Sequence, residues 1–191
     1  GNIPAIVLRL AGAYDEDCHS LPIAQQIRRI YEGEMQSHFF PGNLEHGQSF
    51  VHLDDVAECV CQAVRRRDEL APHELFLIGE PDVVSYGELQ DIIGEHLYGT
   101  GWSTKRIPKT MAKAGAWTEE KLGQESFIKP WMIDLADSHY PVDISKAQRL
   151  LQWQPRHGLR DTLPEMLRRL KEDPVRWYGM NKLRLPEKLS R

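Results

Sequence analysis

Cys59 and Cys61 are the first residues to suggest chemistry, because two thiols close in sequence can bind a soft metal or oxidise together. Their spacing points elsewhere. Two residues apart on a helix they face different ways, so both are expected to be core thiols. The eight histidines are scattered. No His-Glu-x-x-His zinc helix, Gly-Lys-Ser/Thr phosphate loop or Gly-x-Ser-x-Gly nucleophile turn occurs in the sequence. No metal-ligand set and no catalytic residue is assigned. Asp54 and Asp55 open a helical pattern, where carboxylates serve as N-cap and first-turn groups. Arg65, Arg66 and Arg67 close the same pattern and offset its macrodipole, answered by Asp68 and Glu69.

The elements that must position these residues follow from periodicity. Residues 4 to 10, Pro-Ala-Ile-Val-Leu-Arg-Leu, form a nearly continuous apolar run. Such a run predicts a strand buried on both faces of a parallel sheet. It stands almost at residue 1, which suggests a piece of something larger. Leu21 to Glu32 has Ile23, Ile27 and Ile30 at helical spacing; His38 to Phe40 is a short strand ended by Pro41-Gly42. Gln48 to Leu53 is a strand, and the helix after it carries Val56, Val60, Ala63 and Val64 on one side. Leu75 to Ile78 is a second strand buried on both faces, closed by Gly79. Ser85 and Glu88 form a capping box for a helix with Leu89, Ile92, Ile93 and Leu97. The stretch 108 to 137 reads as two helices separated near Ser126 to Pro130. Tyr140 to Val142 is extended, and Asp143 caps a helix carrying Ile144, Ala147, Leu150 and Leu151. Thr162 and Glu165 make another capping box before Leu163, Met166, Leu167 and Leu170. Beyond Pro174 the periodicity is weak.

With 191 residues, 41% hydrophobic and 27% charged, the chain is an ordinary globular sequence of one domain, or one domain plus an extension. A net charge of -4 gives no general attraction to nucleic acid or anionic membranes. No apolar run approaches the ~20 residues a membrane span requires. Three cysteines fit a reducing compartment, so a cytoplasmic location is expected.

Three segments resemble, in order and spacing, the extended short-chain dehydrogenase/reductase family, which includes the NAD-dependent sugar-nucleotide epimerases and dehydratases. Residues 4 to 14 are similar to its Pro-x-x-x-x-Arg strand ending in a Gly-x-Tyr turn. Ser49-Phe-Val-His-Leu-Asp-Asp-Val-Ala57 is similar to its Phe-Val-His-Val-Asp-Asp-Val-Ala segment, the most specific of the three. Asp143-Ile-Ser-Lys146 through Leu151-Gln-Trp153-Gln-Pro155 is similar to its Asp-x-Ser-Lys…Leu-Gly-Trp-x-Pro pattern. The resemblance covers residues 3 to 172, with 173 to 191 as a tail. It implies an α/β fold: the C-terminal part of a Rossmann-type NAD(P)-binding enzyme, with the last parallel strands (5–10 and 75–78) and a mostly helical substrate-binding subdomain.

The family's Gly-x-x-Gly-x-x-Gly cofactor loop is not found; Gly94, Gly99 and Gly101 are wrongly spaced. Its Tyr-x-x-x-Lys helix is expected upstream of residue 1, and Tyr178 to Lys182, with Gly179 inside it, is not read as its equivalent. The resemblance therefore implies a parent using NAD or NADP on a nucleotide sugar or related carbinol, with weak or no cofactor binding by this chain alone. Ala11, Gly12 and Ala13 are small and would pass the nicotinamide end; a tight turn below Tyr14 explains them equally well. Tyr14, Gln48, His52 and Arg106 are the candidate substrate-binding residues. His52 could equally be a satisfied strand residue. Gln48-Ser49 stands where many sugar-nucleotide members carry an arginine, which leaves room for a non-catalytic accessory protein of the same fold. The expected partners are a small-molecule substrate and further copies of the chain, with no nucleic acid and no membrane. Self-association is expected because strands 5–10 and 75–78 would leave apolar surface bare.

Overall fold

The computed structural model describes residues 3–114, 130–186 and 189. The chain divides into two compact units, one of Gly1–Gln25, Gln48–Val83 and Tyr140–Arg191, the other of Gln26–Gly47 and Val84–His139. Among the described residues no helix is long and apolar enough to cross a membrane.

In the first unit, β1 (Ala5–Leu10) pairs in parallel with β5 (His73–Ile78), Val7 opposite Leu75 and Arg9 opposite Leu77. Ala11 donates its N–H to the carbonyl of Ile78 at 2.8 Å, and the chain then turns into β2 (Gly12–Tyr14). This short strand pairs in parallel with β4 (Phe50–His52), Gly12 opposite Phe50 and Tyr14 opposite His52. A strand thus stands where a loop was expected after β1. Helix α2 (Leu53–Arg65) follows β4 without a gap.

The expectation of two strands buried on both faces needs correcting. Ile6, Leu8, Phe76 and Ile78 join a core with Val51, Cys59, Ala63, Ala147, Leu151 and Trp153. The alternate residues Val7, Leu75 and Leu77 are exposed, as is Leu10. Side chains of a strand alternate between faces, and helix α5 (Ser145–Leu151) packs against β5 from the core side. Among the described residues the other face of the pair is open. Cys59 is buried in this core while Cys61 is exposed, so only one of these two thiols is a core residue.

Asp143 accepts the N–H of Ser145 at 2.9 Å just before α5, whose N-cap position is Ile144 and not Asp143 as expected. The long helix α6 (Leu159–Glu172) begins three residues before Thr162, so that residue is no cap. Its hydroxyl instead donates to the carbonyl of Gly158 at 3.0 Å, and Glu165 pairs with Arg168 and Arg169. The apolar stripe Leu159, Leu163, Met166, Leu167 and Leu170 is buried. A last helix, α7 (Pro174–Met180), forms despite its weak periodicity: Asp173 caps it and Trp177 and Tyr178 are buried. Lys182 lies beyond its end at φ 54°, so Tyr178 and Lys182 do not share a helix.

In the second unit, β3 (Phe39–Phe40) pairs in parallel with β6 (Lys105–Arg106). Ser85 caps α3 (Tyr86–Tyr98), its hydroxyl oxygen accepting the N–H of Glu88 at 3.2 Å, and Gly99 ends it at φ 77°. The Phe40 and Tyr86 rings stack, and Gln90 donates to the carbonyl of Ser37 at 2.9 Å. Helix α4 (Pro130–Leu135) stands in the second half of the 108–137 stretch. Of the break expected near Ser126 to Pro130, residues 126–129 lie outside the described residues and Pro130 opens this helix.

Candidate functional site

In the first unit the ends of β2 and β4, the first turn of α2 and residues 153 to 162 close around a knot of polar side chains. Tyr14 and His52 sit opposite each other across the β2–β4 pair, at 0% and 1% exposure, their rings edge to face at 5.2 Å. His52 is also the N-cap of α2. Its Nδ1 accepts the N–H of Asp54 at 3.2 Å, a role expected of an aspartate. With Nδ1 accepting, a neutral imidazole carries its proton on Nε2. That atom is buried 3.4 Å from Glu16 Oε1 but has no aligned hydrogen bond among the described residues.

Asp55, the second residue of the acidic pair, points inward. Its carboxylate accepts the N–H groups of Arg156 and His157 at 3.1 and 3.0 Å, and its backbone carbonyl accepts the indole N–H of Trp153 at 2.9 Å. Glu80, at the end of β5, is 5% exposed and accepts the N–H of Leu159 at 3.0 Å, while its other oxygen is sealed without an aligned partner. Burial raises the Glu80 carboxyl above the ordinary carboxylate range, against the N–H of Leu159 and the Tyr14 hydroxyl, which favour the ionised form. Burial, and then the charge of Glu80, push the Tyr14 phenol well above its usual value, so it stays protonated. These polar contacts fix the ends of the segments that meet there.

Ligand atoms of His52, Asp54 and His157 lie within 4.8 Å of one another. The two imidazoles are stacked, however, with centroids 4.2 Å apart and planes 24° from parallel. A metal ion lies in the plane of each coordinating ring at about 2.0–2.1 Å from its nitrogen, and stacked rings share no such point. The arrangement is a stacking pair.

The residues assigned from sequence are placed as follows. Ala11, Gly12 and Ala13 are half-buried along the entry to β2 and within it. A methyl group on Gly12 would meet the Phe50 ring at 2.8 Å, so the aromatic ring this glycine accommodates is one from its own fold. Gln48 is exposed and its neighbour Ser49 is buried, donating to the carbonyl of Glu80 at 2.8 Å. Arg106, in the second unit, is exposed and pairs with Asp137 at 3.4 Å. The structure brings Tyr14 and His52 together. It adds Asp55 as an inward-facing anchor, together with Glu80 and His157. For Glu80 the one signal in the sequence was an acid directly after an apolar strand and glycine.

No family model and no curated protein matches this chain. Solved structures do. MoeE5, determined in complex with UDP-glucose and NAD, is 20% identical with a TM-score of 0.59 over 89% of this chain and 48% of its own. The UDP-glucose 4-epimerase of Thermotoga maritima, determined with UDP-glucose, is 20% identical with a TM-score of 0.58 over 88% and 46%. The dTDP-glucose 4,6-dehydratase of Bacillus anthracis, in complex with NAD, is 16% identical with a TM-score of 0.61 over 93% and 47%. The chain therefore spans about half the length of these neighbours. At such identities the likeness establishes the fold, and it is the mixed α/β fold expected from the three sequence segments.

Proposed function

We infer that this chain, which has the fold of about half of a Rossmann-type sugar-nucleotide epimerase or dehydratase, is the substrate-side portion of an NAD(P)-dependent enzyme acting on a nucleotide sugar or related carbinol. The observation that carries this reading is the open face of the β1–β5 pair, where Val7, Leu75 and Leu77 stand uncovered in a fold matched over only half of its neighbours. An inner pair of a larger parallel sheet has such a face, covered by helices of the remaining portion. Ala11, Gly12 and Ala13 would offer backbone to the nicotinamide end, and exposed Gln48 of the same unit would reach the substrate. Tyr14 and His52 would act from beneath, holding β2 and β4 in register. NAD or NADP supplies hydride transfer when bound; its pyrophosphate loop is not among these residues. No activity is expected of this chain alone.

Titration with UDP-glucose, followed by backbone amide NMR, tests the substrate side. Weak, saturable shifts at Gln48 and its neighbours are expected. No response to UDP-glucose or to a panel of other nucleotide sugars would contradict the assignment. A second reading, a non-catalytic accessory protein of the same fold, is favoured by one feature: Gln48 and Ser49 put no cation before Phe50.

A further inference from the structure

The outward face of α2 carries Leu53, Ala57, Val60 and Val64, spaced by four, three and four residues along one line of the helix. All four are exposed, Val64 at 56%. This is an apolar helix face with no cover among the described residues, distinct from the open face of the sheet. Its flank is charged in a particular order. Asp54, 77% exposed, stands at the start of the helix and Arg65, 65% exposed, at its end, with Cys61 between them on the same flank. Arg65 pairs with Glu58 at 3.6 Å, a surface contact.

We propose that this face is the contact between two copies of the chain, packed as an antiparallel α2–α2 pair about a two-fold axis. Twofold symmetry keeps the same flank of each helix side by side and reverses its direction. Asp54 of each copy then lies beside the partner's Arg65, so the end charges are complementary at both ends. A parallel two-fold pairing would leave the two charged flanks on opposite sides of the contact, with no such match. With 1.5 Å of rise per residue, an alignment that matches Asp54 to Arg65 leaves the two Cys61 residues about 4.5 Å apart along the helix axes. Four small apolar side chains cover little area, so the contact is a weak one that forms at high concentration.

Sedimentation of the whole chain across a concentration series, with and without diamide, tests it. Diamide takes up the two electrons and two protons released when two Cys61 thiols join as a disulfide. A reversible dimer is expected, and diamide should trap it through Cys61. Val60→Glu should weaken dimerisation about tenfold or more, by placing like charges at the two-fold axis. Arg65→Glu should weaken it, and the double variant Asp54→Arg with Arg65→Glu should restore it. Leu75→Glu, on the open sheet face, should leave it unchanged. A monomer at all concentrations would overturn the proposal. So would a dimer that survives Val60→Glu and is lost in Leu75→Glu, or one that the charge swap fails to restore while circular dichroism shows both charge variants folded.

Discussion

The indole N–H of Trp153 donates to the backbone carbonyl of Asp55 over 2.9 Å, joining two residues 98 apart in sequence. The carboxylate of the same Asp55 then accepts two N–H groups from the segment just after Trp153. Two of the three sequence segments that carry the family resemblance are thus tied by one residue, with its main chain and its side chain both in use.

Asp55→Ala should therefore destabilise the chain by about 2–4 kcal/mol, because it leaves two part-buried N–H groups without their charged acceptor. Asp55→Asn should cost less, about 1–2 kcal/mol, since its amide oxygen still accepts one of them. Urea unfolding followed by circular dichroism measures both. Equal losses in the two variants would mean that a neutral amide oxygen recovers neither hydrogen bond, against the ordering expected here.

How far the sequence led can be judged residue by residue. The apolar run of β1 predicted a strand, and the strand is there; the run could not show that one face lacks cover, since burial depends on what packs against it. His52 was singled out, but its work as the N-cap of α2 was hidden because aspartates beside it are the more usual caps. Thr162 and Glu165 matched a capping pattern and lie inside a helix, because the apolar stripe starting at Leu159 extends the helix backwards. The inward turn of Asp55 depends on a segment 102 residues further along the chain and the burial of Glu80 on one 79 residues further, beyond any local pattern.

Gly12→Ala should destabilise by about 1–3 kcal/mol through overpacking, because its new methyl would press on the Phe50 ring. Phe50→Leu costs stability on its own by loss of buried surface, yet should relieve this clash. A double-mutant cycle is expected to show coupling of about 0.5 kcal/mol or more between the two positions. Strict additivity would show that the small residue at position 12 serves something other than the Phe50 ring.

Glu80 sets a pH dependence with a defined sign. Its folded pKa is raised by burial, so the folded state holds its proton more tightly than the unfolded one. The stability this confers is fully present below the ordinary carboxylate pKa and is lost as pH rises through the raised value. Glu80→Gln keeps an acceptor for the Leu159 N–H and removes the titration. The wild-type urea midpoint should fall relative to that of the Gln variant as pH rises above the ordinary carboxylate range. Parallel pH profiles for the two proteins would show that Glu80 titrates normally.

The most direct test of the central claim, that these residues form the substrate side of a cofactor-dependent fold and hold no cofactor site of their own, is calorimetric titration of the chain with NAD and with NADP. The account predicts no saturable heat in the micromolar range for either. A micromolar dissociation constant for one of them would place a complete cofactor site within these residues and contradict the account.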